Sequence, residues 1–280
     1  MNRAMNLVDL HVHSTASDGL YKPQVLIERA AVIGLKYFAL TDHDTIDGIA
    51  AARQAAIGFP DLTFIPGVEL STDTEKGETH VLGYFIDEND AAFLAELEKF
   101  RDSRDIRARR MVEKLAELGV LLDWNRVQEI AGEGTSIGRP HIARAMVEKG
   151  YIEKFEDAFQ NYIESGGPAY VERTKMTPEE AVALILRSAG VPVLAHPFTT
   201  GEPEAMIQRL AKAGLAGMEA YYHENTPEQT EEMLGIAGRY GLLVTGGSDF
   251  HGENMSGGDL GSVEIPVEVA EDLISYHRKH

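Results

Sequence analysis

Short apolar runs alternate with helical patterns along most of the 280-residue chain, and this alternation is the strongest constraint on its fold. It is typical of parallel α/β sheets and barrels, in which a helix follows each strand. The strand candidates are residues 7–11, 36–41, 62–69, 79–85, 191–196, 216–221, 242–246 and 260–265. Helix start signals lie between them, as at Thr177-Pro178-Glu179-Glu180 and Thr226-Pro227-Glu228-Gln229.

The alternation breaks between residues 91 and 164, where only helical patterns occur. We therefore predict a first barrel part over 1–100, a small helical insertion over 101–167 and a second barrel part over 168–280. Gly166-Gly167-Pro168 marks the end of the insertion, and a strand-like stretch follows at 169–171.

Composition excludes several classes of function. The chain has no cysteine, which excludes disulfides, thiolate nucleophiles, zinc fingers and iron–sulfur clusters. A net charge of −19 argues against a stable complex with long nucleic acids and against binding to anionic membranes. No long apolar segment and no signal-like start occur, so we expect a cytoplasmic protein. The sequence does not indicate an oligomeric state.

Histidines and acidic residues cluster at the ends of the strand candidates. His11 and His13 are two residues apart, so strand alternation places both side chains on one face. The others at strand ends or in the following loops are Asp18, His43, Asp44, Glu69, His80, His196, Asp249 and His251. Because loops at the carboxyl ends of barrel strands converge, we expect these side chains to share one site.

This set of side chains predicts a metal site. Imidazoles and carboxylates together suit zinc, manganese or iron, and no thiolate is available. The set contains more ligands than one ion takes. The sequence therefore predicts at least two divalent cations.

The motifs resemble those of the PHP (polymerase and histidinol phosphatase) family, in the family's order. They are Asp9-x-His11-x-His13, Thr41-Asp42-His43-Asp44, Gly67-x-Glu69, His80, Ala195-His196-Pro197 and Ser248-Asp249-x-His251. The resemblance implies a distorted seven-stranded (β/α) barrel of the amidohydrolase-like group, so one of the eight strand candidates should lie outside it. It also implies two or three divalent cations, with Mn²⁺ expected and zinc, iron or Mg²⁺ as alternatives.

Carried over by position, the resemblance implies three groups of ligands. The first cation would be held by His11, His13, Glu69 and Asp249. A second would be held by Glu69, His80 and His196, with Glu69 bridging the two. A third would use Asp18, His43 and His251.

Three further segments resemble stand-alone bacterial members, the 3′,5′-nucleotide bisphosphate phosphatases and the RNase AM exonucleases. The segments are His80-Val81-Leu82-Gly83-Tyr84-Phe85, Gly138-Arg139-Pro140-His141-Ile142-Ala143 and Gly166-Gly167-Pro168-Ala169-Tyr170-Val171. The resemblance implies release of the 3′-phosphate from nucleoside 3′,5′-bisphosphates, such as 3′-phosphoadenosine 5′-phosphate to AMP. Hydroxide bridging two cations would attack phosphorus.

Three alternatives remain open at this point. One is a 5′→3′ exoribonuclease acting on short RNA at the same site. The second is a C–N amidohydrolase, and the third is a noncatalytic metal-binding module. The expected partner is a small nucleotide or a short RNA.

The sequence also predicts substrate contacts and catalytic groups. Some of them are metal ligands as well, and others are not. Arg139 is the first candidate for a phosphate contact, because a guanidinium matches phosphate oxygens. His141, His223 and Asp44 are further candidates for substrate contacts. Glu69, His196 and Asp44 are the predicted catalytic groups, and the sequence does not choose among Asp44, His196 and His223 as the acid for the leaving group. The remaining arginines of the insertion's first helix are interpreted as a solvated face: Arg104, Arg107, Arg109 and Arg110.

Overall fold

Seven strands form one sheet that curves into a nearly closed barrel, in the spatial order β1 to β7. The computed structural model describes residues 7–74, 77–132, 137–172, 176–253, 255 and 257–280, so the predicted signal-free start at 1–6 lies outside it. The strands are β1 Val8–Asp9, β2 Tyr37–Leu40, β3 Thr63–Thr74, β4 Gly77–Tyr84, β5 Val191–Leu194, β6 Gly217–Tyr222 and β7 Leu243–Gly247. The eighth candidate, 260–265, forms no strand, and neither does 169–171.

One strand reverses direction. β4 pairs antiparallel with both β3 and β5, whereas the other neighbouring strands are parallel. The all-parallel expectation was wrong here, because apolar periodicity carries no information on strand direction. The reversal matters for the site: His80, near the amino end of β4, pairs with Ser71 beyond Glu69 on β3. His80 therefore lies at the same barrel end as the carboxyl ends of the other strands.

Close backbone contacts join β7 to β1. The Leu10 N–H donates to the Gly246 carbonyl at 3.1 Å, and the His13 N–H donates to the Phe250 carbonyl at 3.0 Å. A Cβ at Gly247 would lie 2.4 Å from the Cβ of His11. Only glycine allows this approach, which fixes the backbone of His11 against the closing strand.

Helices surround the barrel and form the insertion. They are α1 Pro23–Ile33, α2 Ile49–Ala56, α3 Ala91–Glu117, α4 Trp124–Ala131, α5 Arg139–Glu148, α6 Phe155–Ala158, α7 Pro178–Arg187, α8 Pro203–Ala213, α9 Pro227–Tyr240 and α10 Val267–His277. The predicted capping boxes at Thr177 and Thr226 are confirmed, each with reciprocal side-chain and backbone hydrogen bonds. In the part of the chain that the structure describes, no helix is long and apolar enough to cross a membrane.

The long helix α3 belongs to two cores. Phe93 and Leu97 near its start pack in the core between the barrel and its helices. Met111 and Leu115 near its end pack in a separate core formed by the insertion. The predicted boundary at residue 100 therefore falls inside one helix, between its two packing partners. Among its described residues, the region 101–167 is helical, with a π-helical turn at Phe159–Ile163 and no strand.

Candidate metal centre

Glu69 lies at the centre of the candidate site and is almost completely buried. One carboxylate oxygen, Oε1, is 2.9 Å from His80 Nδ1 and 3.1 Å from His196 Nε2. The other, Oε2, is 2.9 Å from His43 Nδ1, 3.3 Å from His13 Nε2 and 3.4 Å from His11 Nε2. Five imidazoles thus converge on one carboxylate, two from the segment after β1 and one each from the loop after β2, from β4 and from the loop after β5.

Asp249 completes a second edge of the site. Its Oδ1 lies 3.0 Å from His13 Nε2 and 3.3 Å from His11 Nε2. Its Oδ2 accepts a hydrogen bond from the Tyr222 hydroxyl at 3.0 Å. The two histidines of the first strand therefore face both Glu69 and Asp249, on one face as strand alternation predicts.

Asp18 lies in a third part of the site and is 5% exposed. Its carboxylate is 3.3 Å from His251 Nε2, 3.8 Å from His43 Nε2 and 3.9 Å from His13 Nδ1. The sequence around Asp18 is also that of an ordinary turn, but the structure turns this side chain inward.

Three sets of these residues bring ligand atoms within 4.8 Å of one another. They are His11, His13, Glu69 and Asp249; His13, Asp18, His43 and His251; and His43, Glu69 and His80. The first set is the group implied for the first cation. The second set adds His13 to the group that the resemblance implies for the third cation. The last set contains His43 where the resemblance placed His196 in the group for the second cation. His196 still contacts Glu69, with its Nε2 3.1 Å from Oε1.

Many donor atoms of the site make no hydrogen bond within the protein. Ten buried side-chain nitrogen and oxygen atoms in the described residues have no hydrogen-bond partner, and seven belong to this site. They are His11 Nε2, His13 Nδ1, His13 Nε2, Asp18 Oδ1, His43 Nδ1, Glu69 Oε2 and Asp249 Oδ1. Since leaving buried polar atoms unpaired costs free energy, this concentration fits a group of cations that these atoms would ligate.

The electrostatics of the site differ from ring to ring. Burial alone would lower the pKa of His80, but Glu69 and Glu78 raise it to about 10. Burial likewise opposes the charge on His251, and Asp18 and Asp249 raise its pKa to about 9. His13 behaves oppositely: burial, together with the neighbouring His251 and His43, lowers its pKa to about 3. The cluster therefore holds both protonated and neutral rings near neutral pH.

Two further buried carboxylates hold the loops of the site. Asp9 accepts hydrogen bonds from the Ser248 N–H at 2.9 Å, the Ser248 hydroxyl at 2.6 Å and the Gly261 N–H at 2.8 Å. Asp42 accepts from the N–H and hydroxyl of Ser14 and from the hydroxyl of Ser17, each at 2.7 Å. These motif acids thereby fix the loops that carry Asp249 and Asp18.

Backbone strain concentrates at the same place. Five described residues other than glycine have positive φ, and three are predicted site residues: Asp44 at 51°, His196 at 27° and Asp249 at 53°. Such conformations cost free energy and persist where the surrounding contacts impose them. Here they direct the side chains at three strand ends into the barrel mouth.

A cleft with three arginines adjoins the metal cluster, between the barrel and the insertion. Asp18, His43 and His80 line it from the barrel, and Arg104, Arg107 and Arg139 line it from the insertion side. Arg104 Nε lies 2.7 Å from Asp44 Oδ2, and its guanidinium also donates to the Ser71 hydroxyl at 2.5 Å. Arg139 pairs with Glu78 on β4.

The interpretation of the α3 arginines as one solvated face was wrong for two of them. Arg104 is 12% exposed in its side chain, and Arg107 is buried with its Nε donating to the Val171 carbonyl at 2.7 Å. Arg109 and Arg110 are exposed as expected. Helical periodicity could not show that α3 leaves the barrel and enters a second core, which buries one side of its middle turns.

Asp44 is already engaged in the structure. Its Oδ1 accepts the Ser71 N–H at 2.8 Å, while Oδ2 faces Arg104. The sequence offered Asp44 as a catalytic group and a substrate contact. Its position instead makes it the residue that holds Arg104 beside the cleft.

The two remaining predicted contacts, His141 and His223, are not among the residues that line the cleft. His141 is 2% exposed, and its Nδ1 accepts the Gly138 N–H at 2.9 Å, so the ring caps the start of α5. Burial lowers its pKa to about 4, which removes it as a cationic phosphate donor near neutral pH. His223 packs beside Tyr222, with 4.4 Å between the ring centroids.

Sequence analysis missed Glu219 on β6. This carboxylate is fully buried and lies 3.2 Å from His11 Nδ1. A charged residue within the apolar run Gly217-Met218-Glu219-Ala220 is the signal that could have found it, because carboxylates are rarely buried without a partner. Its position within a strand, and not at a strand end, separates it from the other acidic residues of the site.

Comparisons with known proteins agree with this geometry. The model of the PHP domain family matches residues 9–175. A 3′,5′-nucleoside bisphosphate phosphatase of Chromobacterium violaceum is 34% identical over 92% of this chain and 91% of its own length. The 5′-3′ exoribonuclease Rnm of Escherichia coli is also 34% identical, over 88% of this chain and 85% of its own.

A solved structure gives the same result at the level of the fold. A crystal structure described as a metal-dependent phosphoesterase, from Bifidobacterium adolescentis, superposes with a TM-score of 0.87 and 32% identity, covering 95% of each chain. Its agreement extends over both the barrel and the insertion. On the sequence match, the shared fold and the near-complete coverage of these relatives, the chain belongs to the PHP domain family.

Proposed function

We propose that the protein is a metal-dependent phosphatase that releases the 3′-phosphate of nucleoside 3′,5′-bisphosphates. The observation that carries the proposal is the convergence of five imidazoles on Glu69, beside a cleft lined by three arginines. The relative from Chromobacterium violaceum, which matches over nearly the whole chain, supports this substrate class.

The three sets of buried ligand atoms are the proposed positions of the divalent cations, with Glu69 shared between two sets. Bound cations supply charge neutralisation for phosphoryl oxygens and a water of lowered pKa as the nucleophile. His196 Nε2, which lies 3.1 Å from Glu69 Oε1, would add a ligand to the set of His43, Glu69 and His80. Mn²⁺ is the proposed ion, with zinc, iron or Mg²⁺ as alternatives that imidazole and carboxylate donors also accept.

The arginines of the cleft are the proposed phosphate contacts. The chain carries a charge of −19, so a doubly phosphorylated substrate needs local positive groups besides the cations. Arg139 and Arg104 provide planar guanidinium groups suited to phosphate oxygens. Glu78 and Asp44 hold them in place before the substrate binds.

The proposal is tested by a turnover assay with Mn²⁺ on a panel of phosphate esters. The panel contains phosphoserine, histidinol phosphate, nucleoside monophosphates, nucleoside 3′,5′-bisphosphates and oligoribonucleotides. We expect the highest kcat/KM for the bisphosphates, with phosphate released from the 3′ position. Efficient turnover of only the amino-acid-type phosphates would overturn the nucleotide assignment and leave the metal site unaffected.

A 5′→3′ exoribonuclease acting on short RNA is the second candidate function. It is favoured by the relative from Escherichia coli, which matches over 88% of this chain. The same cleavage of a P–O bond would occur at the same site. Release of mononucleotides from a 5′-phosphorylated oligoribonucleotide, at a rate above that for bisphosphates, would favour it. The C–N amidohydrolase alternative stays a prediction, and the noncatalytic alternative has no counterpart among the relatives described above.

A further inference from the structure

Glu219 is a buried carboxylate beneath the metal cluster. Its side chain is fully buried on β6, inside the barrel. An ionised carboxylate in such a position is costly unless hydrogen bonds compensate for the loss of water. The hydrogen-bond partners of Glu219 therefore explain how the barrel accommodates this carboxylate.

One partner is the imidazole of His11. Its Nδ1 lies 3.2 Å from Glu219 Oε1 and 3.4 Å from Oε2. The other ring nitrogen, Nε2, faces Glu69 at 3.4 Å and Asp249 at 3.3 Å. A carboxylate that accepts the Nδ1 proton leaves the lone pair on Nε2, which is the nitrogen directed at the metal cluster.

The second partner is the backbone of His196. Its N–H donates to Glu219 Oε2 at 2.8 Å. This residue has φ 27° and ψ 64°, a conformation that a side-chain-bearing residue rarely adopts. The hydrogen bond holds the turn in which His196 Nε2 reaches Glu69. One carboxylate thus holds two residues, His11 and His196, that lie at different strand ends.

An irregularity in β6 extends this support to a third ligand. Residues three apart in a regular strand point to opposite faces, yet Glu219 contacts His11 and Tyr222 contacts Asp249. The pairing of β6 with β7 shifts register between Glu219 and Tyr221. Such a bulge redirects the side chains that follow it, and here it lets both residues reach the metal cluster.

We propose that Glu219 is a positioning residue for the metal centre, which fixes the ring orientation and tautomer of His11 and the turn at His196. The inference rests on the proposed metal centre and is independent of the proposed substrate. Its consequence is that metal affinity depends on a side chain that touches neither the cation nor the substrate.

The test is Mn²⁺ binding to Glu219→Gln, measured by calorimetric titration of the metal-free protein. A carboxamide has one acceptor oxygen, so it cannot accept from both His11 and His196 without directing its NH₂ group at one of them. We expect Mn²⁺ affinity at the tightest site to fall by about 10- to 100-fold. At saturating Mn²⁺ we expect kcat to recover towards the wild-type value, with KM for the substrate unchanged.

Tyr84→Phe is the matched control. Tyr84 is also fully buried inside the barrel, and its hydroxyl donates to the Leu10 carbonyl at 3.0 Å. This variant loses one buried hydrogen bond, to the residue that directly precedes His11, and should retain wild-type Mn²⁺ affinity. Equal affinities for wild type and Glu219→Gln would overturn the inference. A wild-type protein that binds no Mn²⁺ would instead refute the proposed metal centre.

A measurement on the wild-type chain covers the case in which Glu219→Gln fails to fold. Nitrogen-15 spectra of the zinc-loaded protein report which ring nitrogen of each histidine carries the proton, with His11→Gln used to assign the signal. We expect His11 to be protonated at Nδ1 and to bind through Nε2. Protonation at Nε2, with Nδ1 bound to zinc, would overturn the inference.

Discussion

The two sides of the site are prepared in different ways. On the barrel side, the predicted ligands are buried, and seven of their donor atoms have no hydrogen-bond partner. On the insertion side, Arg104 and Arg139 are already paired with Asp44 and Glu78. We therefore expect cations to complete the barrel side, and we expect the arginines of the insertion side to exchange their carboxylate partners for phosphate oxygens when a substrate binds. Damage to the first should abolish chemistry, and damage to the second should weaken substrate binding.

The largest expected effect comes from Glu69→Gln. Because the carboxylate is shared by five imidazoles, its neutralisation should remove at least one cation and lower kcat by about 10³-fold or more. Metal content by mass spectrometry and steady-state kinetics measure both effects. Glu264→Gln, at an exposed position, is the control. Wild-type metal content and turnover in Glu69→Gln would contradict the central role of this carboxylate.

The next effect is expected from Arg139→Ala and Arg104→Ala. Each removes a guanidinium from the cleft, and a hydrogen bond to a charged group contributes about 1.5–3 kcal/mol, so KM for bisphosphates should rise by about 10- to 100-fold. Metal content should stay at the wild-type level. Arg126→Ala, which removes an exposed arginine paired with Glu148, is the matched control and should not change KM.

Unchanged KM in both cleft variants would show that the two sides of the site do not divide their roles as described. A loss of metal in either variant would have the same implication. Only a rise in KM at constant metal content supports the comparison.

Metal binding should release protons, from the barrel side alone. His80 and His251, with pKa values of about 10 and 9, carry protons near neutral pH in the metal-free protein and must lose them to bind a cation. Mn²⁺ affinity should therefore rise with pH between 6 and 9, with about one proton released from each ring at pH 7. Titration calorimetry in buffers of different ionisation enthalpy measures this number. Binding heats that do not depend on the buffer would contradict it.

The smallest effect is expected on the outer face of α3. Arg109→Ala and Arg110→Ala change exposed side chains, in contrast to Arg104, one turn or more earlier on the same helix. We expect kcat/KM within about twofold of wild type in both variants. The unfolding free energy should change by about 0.5 kcal/mol or less in Arg110→Ala and by up to about 1 kcal/mol in Arg109→Ala, because the Arg109 guanidinium lies 4.7 Å from the centroid of the Trp124 ring. A clear rise in KM in either variant would extend the substrate surface beyond the cleft.

Much of the barrel side could be predicted from sequence. The ligands lie at strand ends, where an apolar run meets a polar loop, and the chemistry of imidazole and carboxylate identifies a metal site. The exact sets could not be predicted, because the grouping of His43 and His13 depends on how the strands curve together. The direction of β4 could not be predicted from the pattern of apolar residues either, since a reversed strand has the same apolar content as a parallel one.

The insertion side was harder to predict. Arg139 was identified because it opens a helix next to a glycine and a proline, a local feature. The role of Arg104 was not predicted, because it depends on where α3 crosses the barrel mouth and on the ion pair that Arg104 forms there with Asp44. Asp44 and His141 were given roles by residue type, while packing assigned them others. Long-range packing, which local sequence does not encode, separates the successes from the failures.

The reversed strand has a consequence for the position of α3. Because β4 is antiparallel to β3 and β5, the chain leaves it at the barrel end opposite the site, and α3 leads back towards the site. A 27-residue helix is about 40 Å long, which lets α3 pack in the barrel core at Phe93 and in the core of the insertion at Leu115. The orientation of a single strand thus sets where α3 begins, and between its two ends Arg104 reaches Asp44 at the edge of the cleft.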